Sequence, residues 1–147
     1  MMNNNFIYLI VPFTALIMAQ IIKFIIDCFK SKSLKWISLF NGSGGMPSSH
    51  TSFCISITMF IGFKNGFDTA LFSSCLVFSL IIIYDALNLR KESGNQAVAI
   101  NKIFDEIFSK NKKEGVKHLT ERLGHNPSEV LSGIFLGTII AYIFYII

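Results

Sequence analysis

Charge is scarce in this chain of 147 residues: Asp, Glu, Lys and Arg together make up 15%, where a soluble domain carries about a quarter. Proline (three), tryptophan (one) and cysteine (three) are also few. So little charge excludes a disordered tail and a basic nucleic-acid arm, and no nucleic-acid partner is expected. Cys28, Cys54 and Cys75 are odd in number, lie in or beside apolar blocks and form no C-x-x-C or Cys/His spacing. Disulfides and zinc are therefore not expected. What the chain does have is apolar residues, 52% of the total with fifteen Phe, gathered into blocks. A mean hydropathy of +0.54 makes the membrane the natural solvent.

Four blocks are candidate spans: Phe6 to Ile22, Thr51 to Phe63, Thr69 to Tyr84 and Val130 to Ile147. Because a perpendicular helix needs roughly 20 apolar residues, the shorter blocks require polar flanks at membrane depth, which suggests a site sunk into one interface. The chain opens Met-Met-Asn-Asn-Asn without a basic region, so the first block reads as a retained helix rather than a signal peptide. The linkers on one side hold eleven Lys and Arg residues, against Lys64 alone on the other. The positive-inside bias then puts both termini outside and both long linkers in the cytoplasm of a bacterial inner membrane. Ala97 to Phe108 alternates apolar and charged residues at near-helical spacing, as an amphipathic helix does at a membrane surface or against a bundle. The expected fold is an all-α integral membrane helical bundle, a single domain over 1–147, with about four transmembrane helices and one or two amphipathic or cytoplasmic ones.

Four polar constellations fall on the cytoplasmic side of this topology. Lys23, Asp27 and Lys30 share one helix face, either as an ion pair with a snorkelling lysine or as a cationic group aimed at an anion. Asn41 to His50 is a glycine-rich turn entering a helix through Pro47; Gly45 allows close backbone approach, and Ser48, Ser49 and His50 add donors and a titratable group. Tyr84 to Gly94 closes the third span, with Asp85 at membrane depth and Arg90 and Lys91 beyond it. In Glu121 to Glu129, Gly124 reads as a helix stop, Asn126-Pro127-Ser128-Glu129 as a capping box, and His125 has no structural explanation. His118 reads as a solvated surface residue. Cations, hydroxyls, glycines and two histidines with no metal-ligand cluster describe an oxyanion site, whose simplest chemistry is phosphoryl transfer through histidine.

Gly44 to His50 and Leu123 to Val130, with Tyr84-Asp85-Ala86 and Arg90-Lys91 between them, resemble the GGMPSSH and LGHxPxEV signatures of a small divergent branch. That branch belongs to the type 2 phosphatidic acid phosphatase and vanadium haloperoxidase superfamily. Lys23 and Lys30, with six residues between them, are similar to its K-x(6)-R-P motif, Pro47 to His50 to P-S-G-H, and His125-x(3)-Glu129 to H-x(3)-D. Lysine stands for Arg-Pro at Lys30, serine for glycine at Ser49, glutamate for aspartate at Glu129, and Leu119 stands where an arginine is expected.

The resemblance implies that His125 attacks phosphorus, Glu129 orients it and His50 protonates the leaving oxygen. Lys23, Gly45, Ser48, Ser49, Asp85, Arg90 and Arg122 are then expected to form the phosphate site, without cofactor or metal. The implied function is a metal-independent phosphatase acting on a lipid-borne phosphate or diphosphate through a phosphohistidine. The alternative is an inactive membrane protein binding anionic lipid head groups in the same pocket. Gly133 and Gly137 form a G-x-x-x-G pair suited to close packing within the bundle or to a homodimer through the last helix.

Overall fold

The computed structural model describes residues 5–31, 45–108, 118–121 and 124–147, and every regular element among them is helical. The elements are α1 (Ile7–Ser31), α2 (Ser49–Asn65), α3 (Ala70–Tyr84), one π-helical turn (Asp85–Leu89), α4 (Arg90–Phe108) and α5 (Pro127–Ile146). Short side chains start the helices locally. Ser48 Oγ accepts from Thr51 N and Thr69 Oγ1 from Phe72 N, each satisfying an amide that a helix start leaves open. Gly66 closes α2 at φ +102°, donating its N–H to the Gly62 carbonyl.

α1, α5 and the helix running from Ala70 to Ile107 are long and apolar enough to cross a bilayer. α2 corresponds to the second expected span, but its 17 residues reach only about 25 Å, and it carries many Ser and Thr. The other three helices enclose it. Ser48, Ser49, Thr51, Ser52, Ser56 and Thr58 are all buried, and the hydroxyls of Thr51, Ser52, Ser56 and Thr58 turn onto nearby oxygens. Thr58 Oγ1 bonds the Cys54 carbonyl at 2.8 Å and meets Ser79 Oγ of α3 at 2.8 Å. Side chains such as Phe13, Ile17 and Ile21 of α1, Val77, Phe78 and Ile81 of α3, and Leu131 and Phe135 of α5 are exposed. They form the lipid-facing coat of an integral membrane bundle.

Contacts fix the directions of the helices. Tyr8 near the start of α1 donates to Asn65 Oδ1 at the end of α2, so these two run antiparallel. Ser79 in α3 meets Thr58 and Cys54 in α2 while Phe72 stacks on Phe67, again antiparallel. α5 runs parallel to α2: Gly133 lies against Ser48 and Thr51, and Gly137 against Ser52 and Ser56. A Cβ added at Gly133 would stand 2.8 Å from the Ser48 carbonyl, and one at Gly137 2.7 Å from that of Ser52. The G-x-x-x-G face is thus filled inside the bundle by the small residues of α2, as close packing of membrane helices demands.

The two ends of the bundle differ. At the end holding Asn5 and Ile147, the apolar core of Val11, Ala15, Phe60, Ile140 and Ala141 is capped by the rings of Phe63, Phe67, Phe72, Tyr142 and Tyr145, an interfacial aromatic cluster. At the other end lie the close of α1, the starts of α2 and α5 and the π-helical turn.

The helix that carries the third span does not end at Tyr84 to Gly94, although the crossing does. It continues through the π-helical turn into α4, and the expected amphipathic helix 97–108 is the tail of this one rod. Its 38 residues from Ala70 to Ile107 span about 57 Å against a hydrocarbon core of about 30 Å, so almost half extends past the bilayer. Among the described residues of α4 the buried ones are Gly94, Ala97 and Asn101, one row at i, i+3 and i+7.

Candidate active site

Lys23 is carried inside by the row that packs α1 against its neighbours. Val11, Ala15 and Ala19 are fully buried, and Lys23, the next residue at i+4, is 6% exposed. The long apolar stem permits this: it lies against Gly45, where φ is +108° and an added Cβ would come within 3.3 Å of the Lys23 Cγ and Cδ. Glu129 and Asp27 supply the negative charges acting on its ammonium. The Lys30 side chain lies outside the described residues.

The start of α2 supplies Ser48, Ser49 and His50. Ser48 is an N-cap whose oxygen accepts from Thr51 N at 3.4 Å and Thr51 Oγ1 at 2.9 Å, so its hydroxyl proton is what it has left to offer a ligand. Its backbone N–H donates to the Glu129 carbonyl at 2.9 Å, tying the start of α2 to the start of α5. Ser49 Oγ is buried and has no hydrogen-bond partner. His50 is more open, and the charges of Arg90, His125, Lys23 and Asp85 all act on its imidazole. With His50 itself, they come from α1, α2, the π-helical turn, α4 and the segment that leads into α5.

The π-helical turn arranges the third group. Its wider winding sends the Arg90 N–H to the Asp85 carbonyl instead of to Ala86, and the Ala86 carbonyl accepts the His125 N–H at 3.0 Å. Such turns are frequent at functional sites because they re-aim backbone groups. Asp85 is the partner of Arg90, Oδ2 to Nε at 2.7 Å with both side chains partly exposed. This geometry orients the guanidinium and gives the carboxylate a cation to face rather than an anion. Gly124, at φ +86°, lies on the α4 backbone so closely that a Cβ there would fall 2.5 Å from Lys91 N.

His125 follows. Its side chain is buried and neither ring nitrogen has a hydrogen-bond partner. Glu129 Oε2 stands 3.8 Å from Nδ1, too far for a hydrogen bond, and the same oxygen accepts the Asn126 N–H at 3.3 Å in the capping box. The two duties foreseen for Glu129 therefore fall on one oxygen, and the cap holds it. An unsatisfied buried polar group costs about 1–3 kcal/mol, so His125 and Ser49 together mark a place where the protein has left donors and acceptors for something else.

Arg122, which the sequence offered as a phosphate ligand, lies outside the described residues, as do Leu123 and Gly44. Among the described residues no group of three or more His, Cys, Asp or Glu is arranged to hold a metal ion. His118 is half-exposed and pairs with Asp105, Nε2 to Oδ1 at 3.3 Å, away from the site. Two contributions were missed: the Ala86 carbonyl, inside the Tyr84-Asp85-Ala86 motif but given no role there, and Asn101, which no motif announced and whose amide binds the chain leading to His125. A buried Asn in a row with Gly94 and Ala97 is the signal that was available.

A family model described as the Divergent PAP2 family matches residues 3–140. The chain is 38% identical over 144 residues to a protein of Bacillus subtilis (strain 168) named "Uncharacterized membrane protein YuiD", covering 88% of this chain and 90% of that protein. No solved structure matches it significantly.

Proposed function

The chain belongs to the Divergent PAP2 family, and from that premise we propose that it is a metal-independent membrane phosphatase that hydrolyses a lipid-borne phosphate or diphosphate through a phosphohistidine. The observation that carries this reading is His125: a buried imidazole with no partner on either nitrogen, at the end of the bundle that also gathers Lys23, Ser49, His50 and Arg90. With Nδ1 turned toward Glu129, Nε2 is the attacking atom. It bonds to phosphorus as the bond from phosphorus to the lipid oxygen breaks, and protonated His50 gives its proton to that oxygen. Water then cleaves the N–P bond, with neutral His50 accepting its proton. Lys23, Arg90, Ser48, Ser49 and the Gly45 backbone hold the phosphoryl oxygens by fixed charge and oriented donors, and Asp85 acts by orienting Arg90. The site faces the cytoplasm of a bacterial inner membrane with both termini outside, in keeping with the eleven cationic residues of the long linkers.

One observation favours a second reading, a non-catalytic protein that binds anionic lipid head groups in the same pocket. Glu129 is held by the Asn126 cap and reaches His125 only at 3.8 Å, which leaves the imidazole without a hydrogen-bonded orienting group. Detergent-purified protein assayed against a panel of lipid phosphates in EDTA separates the two. Phosphate release that survives chelation and is inhibited by vanadate, a mimic of the pentacoordinate transition state, supports the phosphatase. Release abolished by EDTA and restored by magnesium rejects that mechanism, and retention on anionic vesicles without release supports the binder.

A further inference from the structure

The segment that carries His125 is held along the outside of α4 by contacts in antiparallel order. His118 meets Asp105 and packs edge-on against Phe104. Asn101 follows: its Nδ2 donates to the Leu119 carbonyl at 2.9 Å and to Glu121 Oε1 at 2.9 Å, while its Oδ1 accepts the Leu119 N–H at 2.9 Å. Gly124 then lies on the Lys91 backbone, and the His125 N–H ends the series on the Ala86 carbonyl. Thus 118, 119, 124 and 125 meet 105, 101, 91 and 86 in turn. The amide of Asn101 is matched to the backbone of Leu119 on both edges, as one strand matches its neighbour. It is 6% exposed, whereas the His118 pair is half in solvent, so Asn101 is the firm anchor at the far end.

We infer that Asn101 is a positioning residue for His125, fixing through Leu119 and Glu121 the register of the segment that presents the imidazole. The inference rests on the reading of His125 as nucleophile. Asn101 lies seven residues past Gly94, on the part of the rod beyond the bilayer, and acts only through the segment it holds. Alanine there removes three hydrogen bonds at once, while the Ala86 and Gly124 contacts remain. The segment then keeps one end, while the other is left with only the half-exposed His118 contacts, and His125 samples orientations away from the in-line approach to phosphorus.

The test uses the full chain in detergent as wild type, N101A, N101D and N101D/E121Q, with three readouts: amide hydrogen exchange, orthovanadate binding and lipid-phosphate turnover. N101A is expected to speed exchange across 118–125 by at least about tenfold, with 7–29 and 127–146 as protected as in wild type. It is expected to lower kcat by about tenfold or more and to move KM by less than about threefold, since Lys23 and Arg90 still bind the phosphoryl group. N101D keeps the acceptor for the Leu119 N–H but sets a carboxylate against Glu121; E121Q restores a donor there, so the double variant recovers part of both protection and kcat. Unchanged exchange over 118–125 in N101A overturns the clamp, and faster exchange with unchanged kcat overturns its role in placing His125. If the wild type neither binds orthovanadate nor turns over any lipid phosphate, the phosphatase reading falls. The exchange comparison alone then decides whether Asn101 fixes the His125 backbone.

Discussion

Replacing His125 by leucine is expected to abolish turnover and at the same time to stabilise the protein. Leucine is close to histidine in volume and brings no polar atom, so a buried site loses two unpartnered nitrogens without a cavity being opened. Each unsatisfied group costs about 1–3 kcal/mol, and removing both with apolar atoms of similar shape is neutral to favourable. The change of shape at the site costs up to about 1.5 kcal/mol. Two such groups less the shape cost leave an expected net gain of about 0.5–6 kcal/mol, or at least roughly 1–2 °C in Tm for a chain of this length. The assay is thermal unfolding in detergent of wild type and H125L, each with and without orthovanadate. Wild type should gain stability with vanadate by mass action, and H125L should start higher and respond little. An H125L protein clearly less stable than wild type would mean that the imidazole is satisfied in its own surroundings. An equal vanadate shift in both would mean that the ligand does not meet His125. Either result refutes the reasoning.

His50→Ala should cost roughly 100- to 10,000-fold in turnover of a lipid phosphate, and a substrate with a good leaving group should recover part of that loss. His118→Ala should leave the rate nearly intact, so equal losses for the two variants on every substrate would overturn the roles given to them. For the sidedness of the site, single cysteines in place of Met46 and Asn95, in a chain lacking the native three, should resist an impermeant thiol reagent on intact cells, while one in place of Asn65 should react. Labelling at Met46 but not at Asn95 would put the two motif regions on opposite faces of the membrane.

Much of the architecture is local and therefore legible in the residues themselves. Apolar blocks find a bilayer whatever their neighbours do, and the caps at Ser48, Thr69 and Asn126 act over three residues. The buried row Val11, Ala15, Ala19, Lys23 is a plain i+4 series, and it carries a lysine inside through the same periodicity that makes the helix pack. The order of the motifs with the alternation of spans was enough to bring Lys23, His50, Arg90 and His125 to one end. Three features depended on pairings between distant parts of the chain. Tyr84 to Gly94 reads as an ending because acids, bases and glycine interrupt an apolar run. The helix instead passes through a π-helical turn, and it can do so because Gly94 and Ala97 are buried in the row of Asn101 and the Ala86 carbonyl finds the His125 N–H. Gly133 and Gly137 announce a close contact but not its partner, which is α2 because its small Ser48, Ser52 and Ser56 admit the backbone. Glu129 fits both a cap and an orienting carboxylate by spacing, and its position brings both to one oxygen, with Oε2 on Asn126 N and 3.8 Å from His125. Spacing along a chain records which groups can serve; which of them do is settled by hydrogen-bond partners tens of residues away.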